Sequence, residues 1–505
     1  MRQVLLIHPP IAKPGEPPAG IARLKGSLNQ QQIKCSLIDA NLEGIHYLLQ
    51  QKIKTDDTWS KSAFKNVDRD ISTIKDYSAF KTIDNYNRIV KRLNRILTIA
   101  GREYDYLLTL GDCSHKNLSP LNSDDLIKSA HHPEKNPFYD YYQSVLIPKI
   151  EKESPEIIGL SINFLSQALC AFALIGLIRK TFPNVKLSVG GGLITSWIRN
   201  SDWKDPFSGL IDYAIDGPGE SFFSSYFNID CPLRSYPTPV YDDLSTLIYL
   251  SPGFVLPYAT SSGCYFKKCR FCPEQAEGNP YKQLPSSQVI KDLQLLCQQT
   301  KPSLIHFLDS ALSPALLKRF TSEPPPAPWY GYVRFTEDLT DLAFCLALKK
   351  SGCRLLKLGL ESGEQNILDK MNKGINLKTA TKILANFKKA GIPTFIYLLF
   401  GTPYESEATA QKTMDFVLKH HQEISYINPA LFNMPISSDE AKSLPTHPFS
   451  KGNLSLYTDF DHPMGWNREK VRHFLDRVFK RHPVIAGILR QTPKIFTSNH
   501  APFFN

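Results

Sequence analysis

The feature that most restricts this chain is a strand–helix unit that recurs along its second half. Candidate strands fall at residues 255–261, 304–308, 330–335, 355–360, Thr394–Phe400 and 424–429, and helical runs such as 288–298, 339–350, 378–390 and 407–420 lie between them. Parallel strands joined by helices curl toward a barrel, so these units predict a partial (β/α)6 barrel over residues 251–437. In such barrels the chemistry collects in the loops that follow the strands.

The first half alternates in the same way. "VLLIHPP" and a segment beginning at Lys34 read as strands around an apolar-periodic run at 20–28. A strand from Glu156 leads into a helical run at 166–181, then a strand from Lys186, then "GLIDYAIDGPGE" ending at Glu220. The pattern predicts a Rossmann-like doubly wound sheet over residues 1–230. Residues 45–150 are polar and helical in pattern and read as an insertion. Pro-rich "CPLRSYPTPVYDD" breaks both periods, so residues 231–250 are expected to be a linker. After residue 437 the alternation stops, and 438–505 is expected to be a helical C-terminal extension.

The 505 residues allow about three domains. With 42% hydrophobic and 21% charged residues, disordered, collagen-like and coiled-coil classes drop out. No apolar run reaches the roughly 20 residues that cross a bilayer, and the N-terminus lacks a signal-peptide pattern, so no membrane association and a cytoplasmic location are expected. The net charge of +11 makes anionic partners plausible, yet the Lys and Arg are spread thinly and nucleic acid is not the expected partner. Cys35, Cys113, Cys170, Cys231, Cys297, Cys345 and Cys353 are scattered singly and read as small core residues.

The remaining three cysteines differ. In "SSGCYFKKCRFCPEQ", directly after the first barrel strand, Cys264, Cys269 and Cys272 have the spacing Cys-x4-Cys-x2-Cys. Three thiolates leave one position of a tetrahedral or cubane metal unit open to an exchangeable ligand. A structural zinc needs a fourth ligand, and the next His, His306, lies on another strand.

This motif resembles the radical S-adenosylmethionine (SAM) superfamily, specifically its branch with an N-terminal cobalamin-binding-like domain. The usual spacing there is Cys-x3-Cys-x2-Cys, from which this chain departs by one residue. "LALKKSGCRLLKLG", "LLKLGLESGEQNILDKMNKG" and "GIPTFIYLLFGTPYES" resemble fourth- and fifth-strand segments of the same branch, in order and spacing. The resemblance implies a 4Fe-4S cluster on Cys264, Cys269 and Cys272 whose remaining iron chelates SAM, with reductive cleavage to a 5'-deoxyadenosyl radical. It further implies SAM contacts from Phe271, Arg334, Glu361, Ser362 and Gly401. The second strand reads "HFLDSALSP" in place of the Gly-Gly-Glu of many relatives, which leaves Asp309 as the candidate there. An external one-electron reductant of flavodoxin or ferredoxin type is implied as partner.

In the first domain "PPIAKPGEPPAGIARLKGSL", "GLSINFLSQ", "VGGGLIT" and "DGPGES" resemble cobalamin-binding domains of the branch. They nominate Pro10, Ser161, Gly190, Gly191, Gly192 and Glu220 as cobalamin contacts. No Asp-x-His-x-x-Gly signature occurs, so no protein His is expected on cobalt. The implied activity is cobalamin-dependent methyl transfer to an unactivated centre of an unknown substrate. The alternatives are a cobalamin-independent radical rearrangement, cyclisation or cleavage, and a non-catalytic metal- and RNA-binding protein. No Cys follows Cys353, so a single cluster is expected. A basic helix at 468–481 is expected on the open side of the barrel, and a tail at 496–504, with His500, folded against the core.

Overall fold

The computed structural model describes residues 3–200, 203–229, 237–449, 451–493 and 501–504. They form two compact units, Met1–Phe254 with Ser450–Leu456, and Val255–Phe449 with Tyr457–Asn505.

The first unit is built on parallel strands β1 (Gln3–Ile7), β2 (Lys34–Ile38), β3 (Ile157–Ser161), β4 (Lys186–Gly190) and β5 (Tyr213–Ala214), side by side in the order β2-β1-β3-β4-β5. All of β1 is buried, which is why it reads as an unbroken apolar run rather than an alternation. The winding reverses between β1 and β3, so the loops after these two strands diverge and leave a crevice at their carboxyl ends.

The insertion carries the expected helices, among them Thr58–Ile74 and Ile83–Arg102, tied together by the buried Arg92–Asp70 ion pair. It also contains a short antiparallel pair, Tyr106–Leu108 with Cys113–His115. That pair brings Cys113 to 3.8 Å from Cys170, so two of the cysteines scattered singly in sequence meet in the core. Cys231 lies outside the described residues. The described part of the expected linker packs on this unit instead. Val240 N donates to Ala22 O, Lys25 Nζ is held by Asp242 and Asp243 at 2.6 and 2.7 Å, and Tyr241, Leu244, Tyr249 and Leu250 are buried.

The second unit has six parallel strands: β6 (Val255–Tyr258), β7 (Leu304–Phe307), β8 (Trp329–Val333), β9 (Cys353–Glu361), β10 (Thr394–Phe400) and β11 (Tyr426–Leu431). They lie side by side in chain order, and among the described residues β6 and β11 do not pair, so the barrel is partial. Helices begin and end where side chains allow it. Helix Leu377–Ala390 starts at Asn376, whose Oδ1 accepts from Lys378 N, and stops at Gly391 in the left-handed conformation. One residue from each strand forms the innermost layer: Val255, Leu304, Tyr330, Leu355, Phe395 and Tyr426.

The C-terminal extension is not purely helical, as the sequence suggested. Met434–Pro435, Thr446–Pro448 and Tyr457–Phe460 form a small antiparallel sheet, in strands too short to show an apolar period. The expected helix at 468–481 runs as Arg468–Phe474 and then widens into a π turn at Leu475–Phe479, placing Phe474 and Phe479 against Phe400. His500 lies outside the described residues, whereas Ala501 is buried against the innermost barrel layer and Phe504 packs 5.5 Å from Tyr426.

Candidate functional site

β6 stops earlier than expected because the chain beyond it turns toward Asp309. This carboxylate, buried after β7, accepts from Thr260 N at 3.0 Å and from the hydroxyls of Thr260 and Ser261 at 2.7 and 2.6 Å. Ser261–Ser262 then pairs antiparallel with Lys282–Gln283, and Gly263 turns the chain at φ +69° where a side chain would strike Pro280 O. Asp309 therefore anchors the base of the cysteine loop, and its carboxylate is committed there.

Cys269 is buried and Cys264 and Cys272 are half-buried. From the end of β8, Arg334 donates Nη1 to Cys269 Sγ at 3.7 Å and Nη2 to Lys373 O, while its guanidinium lies 3.6 Å from the centre of the Phe266 ring. Burial pushes the Cys269 thiol up, and Lys373 and Arg334 pull it back. Cys272 is pushed up to about 11 by burial, so metal binding would release its proton. Among the described residues no three Cys, His, Asp or Glu side chains converge as a single ion requires. Thiolates that each bind a different iron of a cluster need not converge in that way.

Across the mouth, Glu361 Oε1 pairs with Lys373 Nζ at 2.8 Å, both side chains nearly buried. β9 shifts register between Gly359 and Glu361, and Glu361 has φ +68°. The bulge folds its carboxylate back over Gly359, where a side chain would collide with Glu361 Oε1. Lys373 Nζ also lies 5.3 Å from the centre of the Phe271 ring. Four of the sequence-nominated residues, Cys269, Arg334, Glu361 and Phe271, thus meet around Lys373, which the sequence reading passed over inside "MNKG". Its signal there was weak, because a lysine in a loop ordinarily faces solvent.

Ser362 and Gly401 act on the backbone nearby. Ser362 Oγ is bonded to Thr413 Oγ1 at 3.2 Å and caps Glu364 N. Gly401 N donates to Glu405 Oε2 at 2.5 Å, which also accepts from Trp466 Nε1 at 3.1 Å. Burial pushes Glu405 up to about 7.

In the first unit a cleft enclosing about 40 Å³ opens on the sheet, lined by Leu6, Ile21, Gly159, Ser161, Ser188, Gly190, Gly191, Gly217 and Phe223 among others. Its wall combines glycines and two serines with large apolar side chains, Leu24, Leu160 and Ile215 as well as Leu6, Ile21 and Phe223, and no His lines it. Gly191, at φ +103°, has Ile162 O where a side chain would start, and Asn163 Oδ1 accepts from Gly192 N at 3.0 Å. Ser161 and the two glycines Gly190 and Gly191 line the cleft as nominated. Gly192, Pro10 and Glu220, also nominated, do not. Glu220 pairs with Arg23 at 2.7 Å, and the carbonyl of Pro9, next to Pro10, receives Gln167 Nε2.

Residues 258–417 match the radical SAM superfamily. The chain is 26% identical over 196 residues to the uncharacterized methyltransferase PH0819 of Pyrococcus horikoshii, covering 36% of this chain and 41% of that protein. It is 37% identical over 75 residues to the bacteriochlorophyllide d C-12(1)-methyltransferase of Chlorobaculum tepidum, covering 15% and 16%. The matched part is thus less than half the length of either relative. Among solved structures, the chain resembles the cobalamin-dependent radical SAM enzyme OxsB with aqua-cobalamin bound, with a TM-score of 0.61, 13% identity and coverage of 94% of this chain and 67% of that one. It also resembles the radical SAM methyltransferase TsrM of Kitasatospora setae with cobalamin and [4Fe-4S] cluster bound, with a TM-score of 0.52, 14% identity and coverage of 88% and 77%. The last two likenesses extend over both units and establish a shared fold. No helix of the described residues is long and apolar enough to cross a membrane.

Proposed function

We propose that this protein is a radical SAM enzyme, a cobalamin-dependent methyltransferase whose second unit binds a 4Fe-4S cluster and SAM and whose first unit binds cobalamin. The observation that carries the reading is the gathering of Cys269, Arg334, Glu361, Lys373 and Phe271 at the carboxyl edge of a parallel barrel. Cys264, Cys269 and Cys272 would hold the cluster, which supplies the electron that breaks the sulfonium bond of SAM. Arg334, fixed by Phe266 and Lys373 O, offers a cation to the methionyl carboxylate. Glu361, held by Lys373, offers a carboxylate to ribose hydroxyls or the methionyl amine. Phe271 offers an aromatic face to adenine. Asp309, Ser362 and Glu405 keep the three surrounding loops in place.

The first unit's cleft encloses only about 40 Å³, so a bulky, largely neutral ligand would rest on its glycine-lined mouth, where backbone can be approached closely. His8, at the end of β1, is turned into the core beside Gln167, in accord with a cobalt face free of protein His. Both relatives are named as methyltransferases, which favours methyl transfer over the cobalamin-independent alternative. An electron donor of flavodoxin or ferredoxin type and the substrate complete the proposal. The test is anaerobic reconstitution with iron, sulfide and cobalamin. The protein should retain cobalamin through desalting and, with dithionite, convert SAM to 5'-deoxyadenosine or S-adenosylhomocysteine. Loss of all cobalamin to the flow-through would leave the cobalamin-independent radical enzyme as the better account.

A further inference from the structure

The cysteine loop carries one residue more than the usual Cys-x3-Cys spacing, and the backbone shows how that length is taken up. Between Cys264 and Cys269 the chain runs Tyr265, Phe266, Lys267 and Lys268, and Lys267 takes the left-handed conformation at φ +48°. A residue with a Cβ adopts that conformation at a cost, and one such residue is enough to turn the chain on itself. Lys267 and Lys268 are exposed, whereas Phe266, just before the turn, is half-buried. The Phe266 ring covers the Arg334 guanidinium, whose central carbon lies 3.6 Å from the ring centre. The ring also fills the space that Gly374 leaves, since a side chain at Gly374, where φ is +65°, would begin 2.5 Å from Phe266 Cζ. Arg270 N, donating to Met371 O at 3.1 Å, fastens the loop to the same turn a second time.

Arg334 carries five N–H donors in a planar fork, and two of them are engaged by Cys269 Sγ and Lys373 O. The others can meet a carboxylate only in the plane of the fork, and a ring in van der Waals contact with the guanidinium sets that plane. We propose that Phe266 is a positioning residue for SAM: the lengthened cysteine loop seats its ring against Gly374 and over Arg334, and the ring holds the guanidinium in the orientation that receives the methionyl carboxylate. The inference rests on the reading of Arg334 as the carboxylate partner and goes beyond it by giving the added residue a task. An aliphatic side chain would fill the same space without attracting the cation, because the negative face of an aromatic quadrupole is what the guanidinium meets. Lys268 Nζ also faces the ring, but at 6.0 Å it stands at the edge of the range in which that attraction counts.

The test uses the full chain reconstituted anaerobically with iron, sulfide and cobalamin, and reads SAM affinity by equilibrium dialysis of radiolabelled SAM before any reductant is added. Iron and sulfide are measured on the same samples. Phe266→Leu should keep the cluster and weaken SAM binding by about fivefold, and Phe266→Tyr, which restores an aromatic face, should stay within about twofold of wild type. In an Arg334→Met background Phe266→Leu should cause no further loss, because a ring that acts through Arg334 has nothing left to position. A ring that only packs the loop would weaken binding equally in both backgrounds, and that result would overturn the proposal. Deleting Lys267 restores three residues between the cysteines and should weaken SAM binding at least as much as Phe266→Leu; wild-type affinity in the deletion would show that the added residue does not seat the ring. Should either variant lose the cluster, Gly374→Ala, which crowds the ring from outside the cysteine loop, decides by the same loss of affinity. Wild type that holds the cluster but no SAM would overturn the radical reading and the positioning role together. Wild type that binds SAM no better than Phe266→Leu would overturn the positioning role alone.

Discussion

The carboxyl edges of the two parallel sheets are furnished in opposite ways. At the edge of the first unit the surface is uncharged: Gly190, Gly191 and Gly217 line the cleft among apolar side chains such as Leu6, Ile215 and Phe223, with Ser161 and Ser188 as small polar groups. At the edge of the second unit the surface is charge: Arg334 beside Cys269, and Glu361 paired with Lys373. A glycine wall selects by shape and suits a bulky neutral ring system. Paired charges select by electrostatics and suit a zwitterion such as the methionyl end of SAM. On the proposed reading, the same sheet architecture would serve two kinds of ligand by presenting charge at one edge and none at the other.

The strongest way to break this contrast is Cys269→Ala. Iron and sulfide analysis after anaerobic reconstitution should show near-complete loss of the cluster and SAM cleavage at background, with cobalamin retention unchanged. A variant that loses cobalamin in parallel would mean that the two edges do not act separately.

Next in size is Lys373→Met, which removes one partner of a nearly buried ion pair and leaves Glu361 without that counter-ion. The expected loss is about 3–5 kcal/mol, read from the denaturant midpoint, and the double variant with Glu361→Gln should recover part of it. A loss under about 1 kcal/mol would show that the pair is solvated like a surface bridge.

The two units also carry buried titratable groups of opposite sense. Burial pushes His8 in the first unit down to about 4, so its contribution is complete above its ordinary 6.5 and is lost as pH falls from there toward 4. Burial pushes Glu405 in the second unit up to about 7, so its contribution is complete below its ordinary 4.5 and is lost as pH rises from there through 7. His8→Gln should therefore destabilise less at pH 5 than at pH 8, and Glu405→Gln less at pH 8 than at pH 5. Each difference should be about 2–3 kcal/mol in urea unfolding. Equal effects at both pH values would contradict the assigned directions.

The smallest effect concerns the glycine wall. Gly191→Ala places a side chain at positive φ against Ile162 O and should destabilise by about 1–3 kcal/mol while weakening cobalamin retention. Gly190→Ala has ordinary space, with Ile215 at 3.5 Å, and should stay within about 1 kcal/mol in thermal unfolding.

The strands and the cysteine loop were legible because each rests on a local signal: apolar runs for β1 and β10, and three thiols within nine positions for the cluster site. The roles of single residues were less so. Asp309 looked like a cofactor contact, yet its carboxylate is turned onto Thr260 and Ser261, a pairing across 48 and 49 positions that no local pattern carries. Lys373 is an ordinary lysine in sequence. Its burial follows from the bulge at Glu361, a property of the assembled barrel. The short strands at Met434–Pro435 and Thr446–Pro448 escaped because two or three residues cannot show a period of two.

The most direct test of the central claim is electron paramagnetic resonance of the full chain, reconstituted anaerobically and reduced with dithionite, with and without SAM. The account predicts iron and sulfide for one cluster per chain, a reduced 4Fe-4S signal, and a change in that signal when SAM occupies the iron not held by Cys264, Cys269 and Cys272. A zinc-loaded protein without the signal, or a cluster whose spectrum is indifferent to SAM, would contradict it.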